Sequence, residues 1–331
     1  MRLGLVTDSL GYLPFDELLE TAARLGIQAL EFGCGGWSSA PHVSLDLLLE
    51  NERERENFAA QIRDHGLEIS ALNCSGNQLA PGQRGKSNDQ VVRNTMRLAQ
   101  SLGVRRIVMM SGLPGGGPGD QNANWITTAW PPEVHEILRY QWEEVAIPYW
   151  RELAQLAREN GIEKLCIEQH AGQLVYNTET LLRLRDAVGE IIGVNFDPSH
   201  ALWMGGDPLR AIRHLRGTIY HVHAKDTRID PHNREINTLL ETKPNERVAE
   251  RSWNYVTLGY GHSELWWRDF VIQLKQNGYD DVLSIEHEDQ SMPPIVGVRK
   301  SVELLSHVIG TDPDNARGRI ADQKDAGLEA E

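Results

Sequence analysis

The chain lacks the features of proteins that cross membranes or bind nucleic acids. Its 331 residues carry 33 lysines and arginines against 47 aspartates and glutamates, a net charge of −14 at pH 7. Such an acidic surface repels phosphate backbones and anionic lipids. No apolar run reaches the ~18 residues needed to span a bilayer, and the first residues do not follow the charged-then-apolar plan of a signal peptide. We therefore expect a cytoplasmic protein without nucleic-acid or membrane partners.

Cysteine and nucleotide-binding motifs are also scarce. The three cysteines, Cys34, Cys74 and Cys166, show no C-x-x-C spacing, so no disulfide framework is implied. The glycine-rich segment 112–120 lacks the G-K-S/T ending of a phosphate-binding loop. Neither a disulfide scaffold nor a phosphate loop is therefore expected.

What the sequence does contain is a strand–helix alternation that repeats eight times. Apolar, β-branched runs alternate with stretches whose apolar residues recur at i, i+3 and i+4, most of them ending in glycine. Eight such units without a composition break predict a single-domain (β/α)8 TIM barrel over residues 1–310. A doubly wound open sheet is the alternative, and the lack of a G-x-G-x-x-G turn disfavours it. The predicted strands cover residues 3–6, 28–32, 67–73, 105–111, 164–170, 192–200, 219–226 and 281–289.

Two connections are longer than a barrel requires. Segments 112–132 and 229–260 follow the fourth and seventh strands, at the end of the barrel where catalytic residues lie in this architecture. Loops of this length are typically lids, binding surfaces or disordered segments, and their tryptophans indicate ordered, contact-making loops. The polar tail at 311–331 is expected to fray.

Four of the predicted strands end in side chains that bind hard divalent cations. These are Glu168, Asp197, His223 and Glu286, in the fifth to eighth units. Because the units are consecutive, the four side chains are expected to reach one side of the barrel mouth, where one ion could bridge them. Three carboxylates and an imidazole form a ligand set that is suited to Mn²⁺ or Mg²⁺. A zinc site would more typically contain cysteine thiolates. One such acid would simply cap a helix or pair with a base, but four in succession indicate a site.

A metal site of this kind predicts chemistry next to a carbonyl. A divalent ion that holds adjacent sugar oxygens polarises the carbonyl and stabilises the enediolate formed when the neighbouring proton leaves. A carboxylate within reach serves as the base, and we expect its pKa to be raised from ~4.3 toward neutrality. The ligand set does not choose among epimerisation, isomerisation and elimination.

The four segments together resemble the xylose isomerase-like superfamily, which includes ketose 3-epimerases, inosose-type isomerases and endonuclease IV. The matching motifs are a strand-end Glu at 167–168, D-P-x-H at 197–200, H-x-H-x-K-D at 221–226 and a final I-E at 285–286. The resemblance covers about residues 2–308.

The resemblance implies roles for individual residues. One divalent ion, Mn²⁺ before Mg²⁺ or Co²⁺, would be bound by Glu168, Asp197, His223 and Glu286. The two glutamates would also face opposite sides of the reacting carbon and exchange its proton. The residue matching His200 contacts a substrate oxygen in this family, and so does a basic residue for which Arg228 is the nearest candidate.

Further residues near the motifs are candidates for substrate binding. His170 lies two positions after Glu168, on the same face of an extended strand, and is either a substrate contact or a loop histidine. Lys225 and Asp226 continue the seventh motif, and Asp226 is expected to orient a ligand or a substrate hydroxyl.

Other segments near the mouth are also candidates for contact with a ligand, and most of them allow a second interpretation. The second strand ends at Glu31-Phe32-Gly33, which is expected to line the mouth, and Trp37 either stacks on a sugar ring or packs. His135 is either an acid or base on a lid or a surface histidine, and we favour the surface. Residues 259–262 (GYGH) either approach a ligand with their backbone or form a plain turn, which we favour.

Three functions stay open. The first is a metal-dependent isomerase or epimerase of a keto-sugar or related polyol. The second is a lyase on 3-oxo-glycosides, resembling C-glycoside deglycosidase large subunits, which the long loops suit and which would bring a small second subunit. The third is a non-catalytic sugar-binding barrel, although a structural site does not need two opposed bases. The acid surplus disfavours the endonuclease IV branch. We expect a small-molecule sugar substrate and, from the family, a homo-oligomer.

Overall fold

A closed barrel of eight parallel strands forms the centre of the molecule. The computed structural model describes residues 1–310, so the predicted polar tail at 311–331 lies outside the described residues. The predicted (β/α)8 barrel is confirmed: β1 to β7 follow one another around it, and β10 closes it between β7 and β1, while β8 and β9 form a separate antiparallel hairpin. The strands are β1 (Arg2–Val6), β2 (Ala29–Gly33), β3 (Glu68–Asn73), β4 (Arg106–Met110), β5 (Lys164–Glu168), β6 (Ile192–Phe196), β7 (Ile219–Ala224), β8 (Asp226–Ile229), β9 (Trp253–Val256) and β10 (Val282–Ile285).

The helices between the strands begin and end at residues suited to those positions. The helix at 178–188 begins after Asn177, whose side chain accepts a hydrogen bond from Thr180 N while Thr180 Oγ1 accepts one from Asn177 N. The helices are α1 (Phe15–Arg24), α2 (Leu45–Glu50), α3 (Glu52–Asp64), α4 (Gly82–Leu102), α5 (Val134–Arg139), α6 (Ile147–Glu159), α7 (Thr178–Val188), α8 (Pro198–Trp203), α9 (Pro208–His214), α10 (Pro231–Asn237), α11 (Glu264–Gln276) and α12 (Pro294–Ile309). Within residues 1–310, none of them has both the length and the apolarity to cross a bilayer.

The main hydrophobic core lies between the strands and the helices. On β5, Leu165 and Ile167 belong to this large buried cluster. Cys166 lies between them on the opposite face and packs with residues of β3 and β4 in a small separate cluster. Glu168 is two positions beyond Cys166 and shares its face of the strand. The alternation along β5 therefore directs the Glu168 carboxylate to the inside of the barrel.

Two element boundaries differ from the prediction. Residues 45–66 are one of the stretches in which apolar residues recur at i, i+3 and i+4, which predicts a single helix. They form two helices, because the Asn51 side chain accepts a hydrogen bond from Glu54 N at 3.2 Å and caps a new helix there. The strand predicted over 219–226 ends at Ala224, because Asp226 begins β8 and pairs with the end of β9 instead. The insertion at 229–260 is thus an ordered part of the fold that contains α10 and β9.

Candidate metal centre

Glu168, Asp197, His223 and Glu286 come together at the C-terminal ends of the barrel strands. Each offers one ligand atom, and these atoms all lie within 4.8 Å of one another. Glu168 ends β5, Asp197 caps α8 directly after β6, His223 lies in β7 and Glu286 follows β10. These four strands are neighbours in the barrel. The structure therefore gathers the four residues that the sequence singled out.

Positively charged side chains lie among these carboxylates. Lys225 Nζ is buried, 3.1 Å from Asp197 Oδ2 and 2.8 Å from Glu286 Oε2. His200 Nε2 lies 3.0 Å from Glu168 Oε1 and 3.3 Å from Asp197 Oδ2. Asp197 Oδ2 itself is buried and has these ion-pair contacts but no hydrogen bond. Buried carboxylates require compensating charge, so the cluster is suited to hold a cation.

The carboxylates of the cluster do not have the raised pKa values expected for a base. Burial opposes ionisation of Glu168, but its contacts with His200 and His223 outweigh that penalty and hold its pKa well below the usual range. Burial likewise opposes ionisation of Glu286, and the charges of Lys225 and His223 lower its pKa. The expectation was wrong because it left out these cationic neighbours. Both glutamates are ionised at neutral pH, the form that accepts a proton and binds a metal.

The donor set fits a single hard divalent ion. His223 presents Nδ1 to the cluster, 2.9 Å from Glu286 Oε2 and 3.2 Å from Glu168 Oε2. Asp197 Oδ2, which makes no hydrogen bond, is a free ligand atom beside them. Three carboxylate oxygens and one imidazole nitrogen are ligands that Mn²⁺ and Mg²⁺ accept. The residues present therefore match the ion that the motifs imply.

A cavity of about 390 Å³ adjoins the cluster. Glu168, Lys225 and Glu286 line it together with two of the predicted substrate contacts, His170 and Trp37. The Trp37 ring lies 5.8 Å from the His170 ring, and burial lowers the pKa of His170 to about 4. His170 is therefore a neutral imidazole in the wall of the cavity at physiological pH.

His200 lies just behind this wall. Its ring is 4.3 Å from that of His170, and its Nδ1 is 3.1 Å from the Tyr255 hydroxyl. Burial alone would lower the pKa of His200, but Asp197 outweighs it and raises that pKa to about 9. His200 thus lies in the second layer of the site as a cation that orients Glu168.

Three predicted substrate contacts lie away from the cavity. Arg228 is an exposed residue of the β8–β9 hairpin and does not line it. His135 lines a different cavity, of about 1030 Å³, between segment 113–142 and α7. Asp226 is completely buried. The sequence placed Arg228 and Asp226 too close to the cavity because it treated residues after Ala224 as a continuation of β7.

The Asp226 carboxylate organises a turn. It accepts hydrogen bonds from the backbone N–H groups of Gly259, Gly261 and His262, and lies 2.7 Å from His262 Nδ1. A Cβ at Gly261 would collide with Asp226 Oδ1, so glycine is required there. Residues 259–262 are therefore the plain turn that we favoured, and Asp226 holds it in place.

Several cavity residues were missed by the sequence argument. Asn73 ends β3, and Asp8 lies two positions after the end of β1. Glu288 lies two positions after Glu286, with its carboxylate 3.3 Å from Lys225 Nζ. A search for polar side chains at or just after the ends of all eight predicted strands could have found these three residues. Tyr255 and Asn245 come from the insertion at 229–260, and no sequence signal places them at the mouth.

Glu31 was expected at the mouth and lies deeper. It is completely buried and is not part of the cavity wall. Its carboxylate contacts His221, His223 and Asn73 inside the barrel. Strand alternation directs it inward from β2, toward the side of His223 that faces away from the cluster.

The fold and the cluster define a parallel eight-stranded barrel with a candidate metal centre at the C-terminal ends of its strands. Residues 19–307 match the family model described as xylose isomerase-like TIM barrel, and the chain belongs to that family.

Two proteins with similar sequences match different shares of the chain. The chain is 50% identical over 311 residues to the uncharacterized protein YfiH of Bacillus subtilis (strain 168), which spans 93% of this chain and 99% of that protein. It is 23% identical over 218 residues to an inosose dehydratase of Geobacillus kaustophilus (strain HTA426), spanning 65% of this chain and 63% of that protein.

Two solved structures resemble the barrel. One is the IolI protein with a binding zinc atom, with a TM-score of 0.65 and 18% identity over 94% of this chain and 98% of that chain. The other is D-psicose 3-epimerase with D-tagatose from Clostridium cellulolyticum H10, with a TM-score of 0.60 and 14% identity over 93% and 98%. At these identities the likeness establishes the fold.

Proposed function

We propose that the protein is a divalent-metal-dependent isomerase or epimerase of a neutral keto-sugar or keto-polyol. The observation that carries this proposal is the presence of two ionised glutamates, Glu168 and Glu286, in one cation-binding cluster and in the wall of one cavity. A cluster that served only to bind an ion would not need both of them to reach the substrate space.

The ion would be held by Glu168, Asp197, His223 and Glu286. When bound, it would polarise a carbonyl and stabilise negative charge that develops on substrate oxygen. The ligand set favours Mn²⁺, with Mg²⁺ and Co²⁺ as alternatives, and the zinc atom bound by the structurally similar IolI protein supports a metal in a barrel of this fold.

The protein's own residues would bind the substrate and move its proton. Glu168 or Glu286 removes the proton next to the carbonyl and becomes a carboxylic acid, which later releases that proton to solvent. In an epimerisation the other glutamate takes up a proton from solvent and delivers it to the opposite face of the carbon. Lys225 Nζ, 2.8 Å from Glu286 Oε2, holds that carboxylate in place and donates to substrate oxygen. Trp37 and His170 supply an aromatic wall for the ring carbons.

The charge of the cavity supports a neutral substrate. Asp8, Glu168, Glu286 and Glu288 line it, and among residues 1–310 Lys225 is the one lysine or arginine in its wall. Lys225 is already shared among Asp197, Glu286 and Glu288. A phosphate or carboxylate group on the substrate would therefore add negative charge to a wall that already carries four carboxyl groups. The volume of about 390 Å³ is at the lower end of the range for small-ligand sites, which suits a single sugar.

Deuterium exchange tests the reaction. The Mn²⁺-loaded protein is incubated in D₂O with a panel of keto-sugars and inososes, and deuterium in the carbon next to the carbonyl is followed by mass spectrometry and NMR. We expect exchange with at least one member, and a rate at least ~100-fold lower for Glu286→Gln, because a carboxamide cannot accept the proton.

The control is Glu303→Gln, an exposed glutamate on α12, which should exchange like the unaltered protein. Full exchange activity in a Glu286→Gln protein that retains its metal would contradict the proton-transfer role.

Elimination is the second candidate function. The inosose dehydratase named above supports it, and Lys225 is a cation in the cavity wall that could stabilise a departing hydroxyl by hydrogen bonding. In this case an inosose would lose water, and an enone absorbance would appear in the ultraviolet. Substrate loss with this absorbance, in place of a recovered deuterated sugar, would favour the dehydratase.

A lyase acting on 3-oxo-glycosides and a non-catalytic sugar-binding barrel stay as alternatives. Release of an aglycone from an oxidised glycoside would support the first, and sugar binding without exchange or elimination would support the second. We also propose a homo-oligomer, or a small second subunit for the glycoside lyase, and light scattering after size-exclusion chromatography measures which is present.

A further inference from the structure

A chain of polar side chains crosses the interior of the barrel and ends at the candidate metal ligand His223. Asp281 Oδ2 accepts a hydrogen bond from Arg106 Nη2 at 2.5 Å, and Arg106 Nη1 lies 3.4 Å from His221 Nδ1. His221 Nε2 is 2.6 Å from Glu31 Oε2, and the Glu31 oxygens are each 3.0 Å from His223 Nε2. This series of polar contacts runs from the start of β4 to the centre of β7 by way of Glu31 on β2.

The chemistry of the partners fixes the direction of these hydrogen bonds. A guanidinium group can only donate, so His221 Nδ1 accepts from Arg106 and His221 Nε2–H donates to Glu31. An ionised carboxylate can only accept, so His223 Nε2–H also donates to Glu31. Asn73 Nδ2 completes the set with a hydrogen bond of 2.7 Å to Glu31 Oε1.

Three side-chain donors surround the Glu31 carboxylate. Asn73 Nδ2, His221 Nε2 and His223 Nε2 lie 2.7, 2.6 and 3.0 Å from its oxygens. Glu31 and His221 are completely buried, so water does not compete for these hydrogen bonds. The Nε2 side of His223 is therefore committed to Glu31, and the Nδ1 side faces Glu168, Glu286 and the Asn195 amide nitrogen, which is 3.1 Å away.

Glu31, His221 and His223 are close enough to hold an ion of their own. Two features disfavour a second ion there. The Glu31 carboxylate already accepts hydrogen bonds from Asn73, His221 and His223, and the free side of His221 faces the Arg106 cation. A second divalent ion would have to break these bonds and lie near the partly buried guanidinium of Arg106.

We propose that Glu31 is a positioning residue for the metal centre, which fixes the tautomer and orientation of His223 so that Nδ1 faces the ion. His221 and Arg106 hold Glu31 in turn. The inference rests on the proposed metal site and assigns no step of the reaction to Glu31. Carboxylates that accept the second N–H of a metal-bound histidine commonly have this effect.

Metal affinity of the full-length protein is the first test. Competition with a fluorescent chelator gives the Kd for Mn²⁺, and we expect Glu31→Gln to raise it about 10–100-fold, because the carboxamide offers an N–H group where a histidine N–H must be accepted. Glu303→Gln, on the surface of α12, should leave the Kd unchanged. An unchanged Kd in a folded Glu31→Gln protein would overturn the proposal.

The tautomer of His223 is the second test. In the Mg²⁺-loaded protein with ¹⁵N-labelled histidine, long-range ¹H–¹⁵N correlation should show the proton of His223 on Nε2 in the unaltered chain and a changed pattern in Glu31→Gln. A merely structural role for Glu31 would not alter this pattern. A proton on Nδ1 in the metal-loaded protein would overturn the proposal.

Variants of His221 decide the matter if Glu31→Gln does not fold. His221→Gln retains an N–H group for Glu31 and should keep most of the metal affinity, whereas His221→Leu should lose about tenfold. Equal affinities in the two variants would contradict the proposal. So would two bound ions per chain that fall to one in Glu31→Gln, because Glu31 would then be a ligand.

The outcomes separate this proposal from the proposed function. Metal affinity that depends on Glu31, together with no deuterium exchange on any keto-sugar, would support the positioning role and reject the isomerase. Deuterium exchange with an unchanged metal affinity in Glu31→Gln would support the isomerase and reject the positioning role of Glu31.

Discussion

Lys225 is shared by three carboxylates at and beside the cluster. Lys225 Nζ lies within 3.3 Å of Asp197, Glu286 and Glu288, and 4.7 Å from the centre of the Tyr255 ring. Burial would lower the pKa of Lys225, but these carboxylates, Asp197 first, raise it well above the usual range. Lys225 is therefore a permanent cation whose removal would leave three carboxylates facing one another.

We predict that Lys225→Met lowers the free energy of unfolding of the metal-free protein by about 3–5 kcal/mol, the usual cost of removing one partner of a buried ion pair. Saturating Mn²⁺ should stabilise this variant more than the unaltered chain, because the ion then supplies the missing positive charge. Urea denaturation with and without Mn²⁺ measures both effects. Lys86→Met, at an exposed position of α4, is the control, and equal stabilities of the two variants would contradict the account.

Single residues also show where the sequence argument succeeded and failed. Glu168 and Asp197 were predicted correctly to lie together, because the ends of adjacent parallel strands meet whatever their side chains are. Glu31 was misplaced at the mouth, because strand alternation tells inside from outside but does not give depth.

At the scale of elements, the hairpin of β8 and β9 completes the cavity wall. Tyr255 in β9 lines the cavity and reaches His200, and Trp253 stacks on Trp203 of α8 with ring centres 4.5 Å apart. The register that pairs Asp226 with Val256 sets these positions. Such a register depends on contacts between residues about thirty apart in the chain, which local sequence patterns do not specify.

We predict that Asp226→Asn lowers the free energy of unfolding by about 2–3 kcal/mol, because an amide group would face backbone N–H donors of the turn at 259–262. The Kd for Mn²⁺ should change little, because Asp226 contributes no ligand atom to the cluster. Urea denaturation and chelator competition measure the two quantities. Asp269→Asn, exposed on α11, is the control, and a loss of metal affinity without a loss of stability would show that Asp226 acts at the site.

At the scale of the whole molecule, an ion-pair cluster ties together the starts of β1, β4 and β10. Asp281, directly before β10, pairs with Arg2 of β1 and Arg106 of β4 at 2.5 Å each. Burial opposes its ionisation, but Arg106 and then Arg2 outweigh burial and lower the pKa of Asp281 to about 2 from 3.8.

This shift predicts the pH dependence of stability. A carboxyl group with a lowered pKa in the folded state stabilises the fold above its ordinary pKa, and that contribution is lost as the pH falls through the folded pKa. The difference in unfolding free energy between the unaltered protein and Asp281→Asn should therefore be complete above about pH 5 and should vanish toward pH 2. Urea denaturation across this range measures it. A constant difference at all pH values would mean that packing, and not the charge of Asp281, is responsible.

The barrel as a whole was predictable because its eight strand patterns and helix ends are local signals. The course of the insertion at 229–260 was not, and neither was the chain of contacts from Asp281 to His223, because its members come from four different strand regions. Only the closed barrel brings them together.

Metal content tests the central claim most directly. The chain is stripped with a chelator, reloaded with Mn²⁺, desalted and analysed by inductively coupled plasma mass spectrometry, beside His223→Ala and the exposed control His214→Ala on α9. The account predicts about one ion per chain in the unaltered protein and in His214→Ala, as expected for a single site with four protein ligands, and almost none in His223→Ala. An unaltered protein that takes up no ion, or a His223→Ala protein that retains it fully, would contradict the account.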